Sequence, residues 1–140
     1  NKLFFYVDDI FNRETLKGFD PRMRFEEGLW LQWKNRYKYV LQYPLYFHFS
    51  EQFRHSPLIR HKDIKENQFK TAMKEFVYHA VQRGDIADLP VEIFWSVAYG
   101  PFYTLLKFHL DQSNMAGKAF SLSDHKLKQA LALVLKALRP

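Results

Sequence analysis

The sequence contains no cysteine in 140 residues. That excludes disulfides, thiolate metal sites and a cysteine nucleophile, and it is compatible with a reducing compartment. Glycine is scarce, with 5 residues, and none of them sits in the spaced pattern that cradles phosphates in dinucleotide or P-loop sites. There is no His-Glu-x-x-His. The most apolar stretch, residues 89–110, carries Glu92, Lys107 and His109, which count against a membrane span. The opening residues are charged and aromatic with no cleavage pattern, so no signal peptide is read there. Alternating strand patterns, internal repeats and low-complexity tracts are all missing.

What is present is a globular composition, 47% hydrophobic and 26% charged, with aromatics at 18%. A chain of this length suits one domain and can bury roughly two-thirds of its surface. Lysine and arginine number 21 against 15 acids, giving +6. The basic residues are scattered and interleave with acids at helical spacing, as in Lys62 with Glu66 and Asp124 with Lys128, so they read as solvated helix faces. Asn1 opens inside a helical pattern, which predicts a fragment of a longer protein over a single domain, 1–140.

The periodicity predicts an all-α fold of about six helices. Residues 2–17 place Leu3, Val7, Ile10 and Phe11 on one face, and Gly18 ends that helix. Asp20-Pro21 restarts the chain as N-cap and first turn of a helix to about Tyr43, with Phe25, Leu29, Trp33, Tyr37, Val40 and Leu41 as its apolar set and Trp30 beside it. Pro44 opens a short helix to Arg54, and Ser56-Pro57 breaks the chain again. A long helix over 64–83 buries Ile64, Phe69, Ala72, Met73, Phe76, Val77 and Ala80 and stops at Gly84. Residues 90–110 form the segment around which the rest is expected to pack, with a kink at Gly100-Pro101. Ser121-Leu122-Ser123-Asp124 gives a capping signal for a last helix to Leu138.

The 90–110 segment is apolar on two sides, which predicts that one side meets the chain's own core and the other a second subunit. Phe94, Val97, Pro101, Leu105 and Phe108 form the predicted subunit face, with Leu127, Leu131, Val134 and Leu138 from the last helix. Ala130, Leu133 and Ala137 lie beside that stripe, where small residues let a partner helix come close.

No catalytic constellation is present, and the chain reads as non-enzymatic. Glu51 with His55 and Glu75 with His79 are one turn apart, whereas helical metal sites use Glu-x-x-His; local pairing is the better reading, and neither a metal nor a cofactor is expected. His109 suits the negative end of its helix dipole. The aromatic density is the distinctive feature. Trp30, Trp33, Tyr37, Phe49, Phe53, Phe69, Phe76, Trp95, Tyr99 and Tyr103, with the adaptable Met73, can line one interior. A plain aromatic core is the simpler reading, but buried Trp and Tyr need hydrogen-bond partners, and an aromatic cavity with a few polar tips suits a small molecule.

The run Tyr43-Pro44-Leu45-Tyr46-Phe47-His48-Phe49-Ser50-Glu51-Gln52-Phe53 with Ser56-Pro57 resembles the ligand-domain segment of TetR/AcrR-type transcriptional regulators, with Tyr43 in place of a histidine. Gln82-Arg83-Gly84-Asp85-Ile86, Leu89-Pro90 and Trp95 to Gly100 resemble the junction and penultimate helix of that family. The likeness covers about residues 25–110. It implies a cytoplasmic regulator, in the repressing sense, whose N-terminal helix-turn-helix lies outside this chain. It further implies a homodimer built on a four-helix interface of residues 90–110 and 122–138, and an apolar or aromatic effector in the interior. Operator DNA would then be met only through the missing domain, whose two copies must reach successive major grooves roughly 34 Å apart. A stand-alone helical carrier of a hydrophobic ligand and a helical metalloenzyme are the competing readings.

Overall fold

The computed structural model describes residues 2–54, 68–112 and 116–140. They form seven helices and no strand: α1 (Lys2–Thr15), α2 (Phe25–Gln42), α3 (Pro44–Arg54), α4 (Gln68–Gln82), α5 (Val91–Ala98), α6 (Gly100–Asp111) and α7 (Asp124–Leu138). Counting α5 and α6 as the halves of one broken helix returns the expected six. The predicted break at Ser56-Pro57, Ile64 in the first turn of the long helix, and the partners His55 and Lys62 with Glu66 lie outside the described residues.

The chain is organised on α2 rather than on residues 90–110. Phe25, Gly28, Leu29, Gln32, Trp33, Arg36, Tyr39 and Val40 are all buried, a stripe of three- and four-residue steps running the whole length of the helix. It packs against α1, α3, α4 and α7, while α5 and α6 lean on α7. The helix also starts later than Asp20-Pro21 suggests. Asp20 spends its side chain on a turn, accepting from the Arg22 amide at 2.9 Å, and the first helical residue is Phe25.

Two glycines end helices as the sequence predicts. Gly18 and Gly84 sit at φ of 70° and 77°, where a side chain would be strained. The carbonyls left over at the end of α1 are met by α2: Gln32 and Asn35 each donate to the Thr15 carbonyl at 3.0 Å, and Asn35 donates to Lys17 at 2.8 Å. At the start of α7 the Ser123 hydroxyl accepts from the Lys126 amide at 3.3 Å. The third helical position holds lysine, so this is a simple cap rather than a reciprocal box.

The kink at Gly100-Pro101 is a full break. α5 stops at Ala98, Tyr99 is the joint, and α6 begins at Gly100 with proline in its first turn. Pro101 has no N–H with which to continue the ladder. The Ala98 carbonyl at the break accepts from the Trp33 indole at 3.0 Å.

On both sides of the break one side of the segment faces inward. Phe94, Ala98, Tyr99, Phe102 and Leu106 are buried, while Val97, Pro101, Leu105 and Phe108 stay half-buried on the other side. Phe94 thus leaves the predicted subunit face for the chain's own core, on the four-residue stripe it shares with Ala98, Phe102 and Leu106. On α7 the correction is larger. Leu127, Leu131, Val134 and Leu138 all point into the core, and the outer side carries Ala130, Leu133 and Ala137. Of the two stripes, the larger side chains go in, where they remove more apolar area from water. Among the described residues no helix is long and apolar enough to cross a membrane.

Candidate functional site

The side chains that could recognise a small molecule gather where α2, α4, α5 and α6 meet. Trp33 and Arg36 are three residues apart on α2 and point the same way, towards the break. Arg36 is only 1% exposed, and its guanidinium lies over aromatic rings: Tyr99 at 4.7 Å, Phe69 at 5.4 Å and Phe11 at 6.0 Å from their centroids. Its Nε donates to the Tyr103 hydroxyl at 3.1 Å, and its Nη1 donates to the carbonyl of Gln32 at 3.2 Å and to the Gln32 side-chain oxygen. The Gln32 amide is thereby oriented, with its oxygen on the arginine and its nitrogen on Thr15. A hydrogen-bonded line therefore runs from the end of α1 through Gln32 and Arg36 to Tyr103 on α6.

Tyr99 is fully enclosed and stacks on Trp95 at 4.2 Å. Its hydroxyl donates to the Met73 Sδ at 3.3 Å. Phe69 meets Trp95 edge-on at 6.3 Å, and Tyr103 stacks on Phe47 at 6.3 Å. Trp95 is 39% exposed, so this aromatic set reaches the surface at one end. Tyr39, one turn beyond Arg36, packs on Phe11 and has a buried hydroxyl with no partner among the described residues.

Of the eleven residues predicted to line one interior, the structure gathers six here: Trp33, Phe69, Met73, Trp95, Tyr99 and Tyr103. Phe76 is enclosed by Phe19, Phe25 and Gly28 and serves the core between α2 and α4. Trp30 and Tyr37 turn away to α7. The Lys34 ammonium, paired with Asp124, lies over both rings, Lys128 covers Trp30, and the Tyr37 hydroxyl donates to the Leu122 carbonyl at 3.0 Å. Phe49 is half-buried on α3, and the side chain of Phe53 lies outside the described residues. Arg36 was not among the eleven, although its seven-residue step from Leu29 puts it on the same stripe.

Burial raises the Tyr99 hydroxyl to about 12, with the Arg36 charge opposing, and burial raises Tyr39 to about 12 as well. Both folded values exceed the unfolded one, so the folded state holds its protons longer. The stability they contribute is complete below pH 10 and is lost as the pH rises through 12. For Tyr99 alone this amounts to about 2–3 kcal/mol. Urea midpoints should be level to about pH 9 and fall steeply beyond 10, and Tyr99→Phe should flatten that fall. An equally steep fall in Tyr99→Phe would assign the loss to other groups.

Two histidines make local structural contacts. His79 lies 3.6 Å from Glu75, the local pairing expected from their spacing. His109 stands in the last turn of α6, the position expected from the sequence, and its Nδ1 accepts from the Leu122 amide at 3.0 Å and so ties the segment before α7 to α6. Among the described residues no group of three acids or histidines is placed to hold a metal ion. Asp124, exposed at the start of α7, is held below the usual carboxylate range by the hydrogen bond from Lys34.

No protein-family model matches the sequence, and no curated protein matches it either. Among solved structures, the chain is similar to a TetR family transcription regulator from Marinobacter aquaeolei VT8. The TM-score is 0.81 at 23% identity, over 97% of this chain and 69% of that one.

Proposed function

We propose that this chain is the effector-binding and dimerisation domain of a TetR-like transcriptional regulator, expected to act as a repressor. The observation that carries the reading is the all-α arrangement it shares with the regulator from Marinobacter aquaeolei VT8 over 97% of its length. Two features of the chain support it independently. The polar-tipped aromatic set around Arg36 has the composition of a small-molecule site: mostly apolar walls with a few placed donors. The outer sides of α5, α6 and α7 carry a second apolar surface, made of Val97, Pro101, Leu105, Phe108, Ala130, Leu133 and Ala137, of which Leu133 is 65% exposed. A single subunit rarely leaves such a stripe to water, and small residues along α7 suit close helix packing against a second copy. The dimer face thus keeps the expected residues of α6 and exchanges the large stripe of α7 for the small one. Operator DNA would be bound by a separate helix-turn-helix, and an effector would act by preferring one spacing of the two DNA-reading heads over the other.

Native mass spectrometry tests this reading. The chain should be a dimer, and Leu133→Glu should be a folded monomer, because two charges would face each other across the two-fold axis without partners. A wild-type monomer at micromolar concentration, or a Leu133→Glu variant that stays dimeric, would count against it.

A further inference from the structure

We propose that Arg36 is the anchor for the anionic head of the effector, and that the effector is an aryl or alkyl carboxylate. The inference rests on the effector-binding reading above and adds the chemical class of the ligand.

Arg36 is a permanent cation, 1% exposed, in the middle of the chain. Taking an isolated charge out of water is costly, and buried cations in folded chains are normally matched by an acid. Among the described residues its acceptors are neutral: the Gln32 carbonyl, the Gln32 side-chain oxygen and the Tyr103 hydroxyl. Among the described residues no carboxylate lies within ion-pair distance of the guanidinium. The rings of Tyr99, Phe69 and Phe11 offer their negative faces to the cation, which lessens the cost of burial without neutralising the charge.

Donors remain for a ligand. Nε is taken by Tyr103 and Nη1 by Gln32, while Nη2 meets no acceptor among the described residues. The Tyr99 hydroxyl, in the same cluster, gives its proton only to the Met73 thioether, a weak acceptor that a carboxylate oxygen would displace. A planar guanidinium edge and a phenol suit a carboxylate, and a charge-assisted bond of this kind is among the stronger ones available. The rest of the ligand would lie along Phe69, Met73 and Trp95, which offer rings and a thioether but no charge. A bare hydrated anion gains nothing from such walls, so an apolar body is part of the assignment.

The test is calorimetric titration of this chain with two matched pairs, decanoate with decanol and phenylacetate with phenylethanol. Inorganic phosphate serves as the charge-only control. In the wild type at least one carboxylate should bind about tenfold more tightly than its alcohol, and phosphate should not compete. In Arg36→Met that ratio should fall to about one; the melting temperature is followed alongside, since the variant removes a buried charge but also leaves the Gln32 side-chain oxygen without its donor. Should Arg36→Met fail to fold, Arg36→Lys keeps the charge but loses the fork, and the ratio should shrink without vanishing. Alcohols and acids binding equally in the wild type would overturn the role of Arg36 and leave the effector-binding reading in place. A preference that survives in Arg36→Met would do the same. Failure of all four probes to bind would overturn both.

Discussion

Trp33→Ala should lower the unfolding free energy by about 3–5 kcal/mol, the range for truncating a large buried aromatic. Three losses combine. The indole is fully enclosed, so its removal leaves a cavity in the stripe of α2. Its ring contact with Phe102, at 5.6 Å between centroids, disappears. The Ala98 carbonyl at the break loses its indole donor. Since a domain of this kind has a total stability of about 5–15 kcal/mol, the variant should have a urea midpoint well below that of the wild type at any temperature. Trp33→Phe retains most of the volume and should cost less, chiefly through the orphaned carbonyl. A Trp33→Ala chain within about 1 kcal/mol of the wild type would mean that α2 does not carry the core.

Gly28→Ala should destabilise the chain even though alanine is the better helix former by about 1 kcal/mol. A Cβ at this position would stand 2.5 Å from two carbons of the Phe76 ring and 3.2 Å from Phe19. That ring cannot yield easily, because it is fully buried, stacked on Phe25 at 5.3 Å and edge-on to Phe19 at 4.9 Å. Overpacking of this type costs about 1–3 kcal/mol, which outweighs the propensity gain. In a Phe76→Leu background the clash is removed, and there Gly28→Ala should become neutral or stabilising. That change of sign in a double-mutant cycle identifies the contact. A stabilising Gly28→Ala in the wild-type background would show that α2 and α4 have room to separate.

Helix positions were legible in the sequence because Gly18, Pro44, Gly84 and Pro101 each act through local geometry, while the capping pattern of Ser121 and Asp124 marked the start of α7 and the cap itself fell to Ser123. Register was less so. On α7 both the leucine stripe and the alanine-rich stripe are apolar, and period alone does not say which of two apolar stripes meets the chain's own core. The volume of the side chains decided it, and the leucines went inside. The start of α2 was missed for a different reason: Asp20 can cap a helix or close a turn with equal ease, and the turn won. In the candidate site, Trp33, Met73 and Tyr99 could be read from spacing, whereas Trp30 and Tyr37 were drawn to α7 by Lys34, Lys128 and a backbone carbonyl far along the chain. Arg36 was hidden by its type. Charged residues on an apolar stripe are usually at its edge, and only the aromatic rings of α1, α4 and Tyr99 show that this one is central.

The break at Tyr99 gives this region two short rods in place of one long one. α5 has 8 residues and α6 has 12, and isolated helices of such lengths are marginal in water. An unbroken helix over the same stretch would have spread order along itself, each turn supporting the next. Here neither rod inherits order from the other. α5 is as firm as the seats of Phe94 and Ala98, and α6 as firm as those of Phe102 and Leu106. Fraying can therefore stop at the joint: one rod can loosen while the other keeps its turns, and each apolar side of this segment can lose one half while it keeps the other.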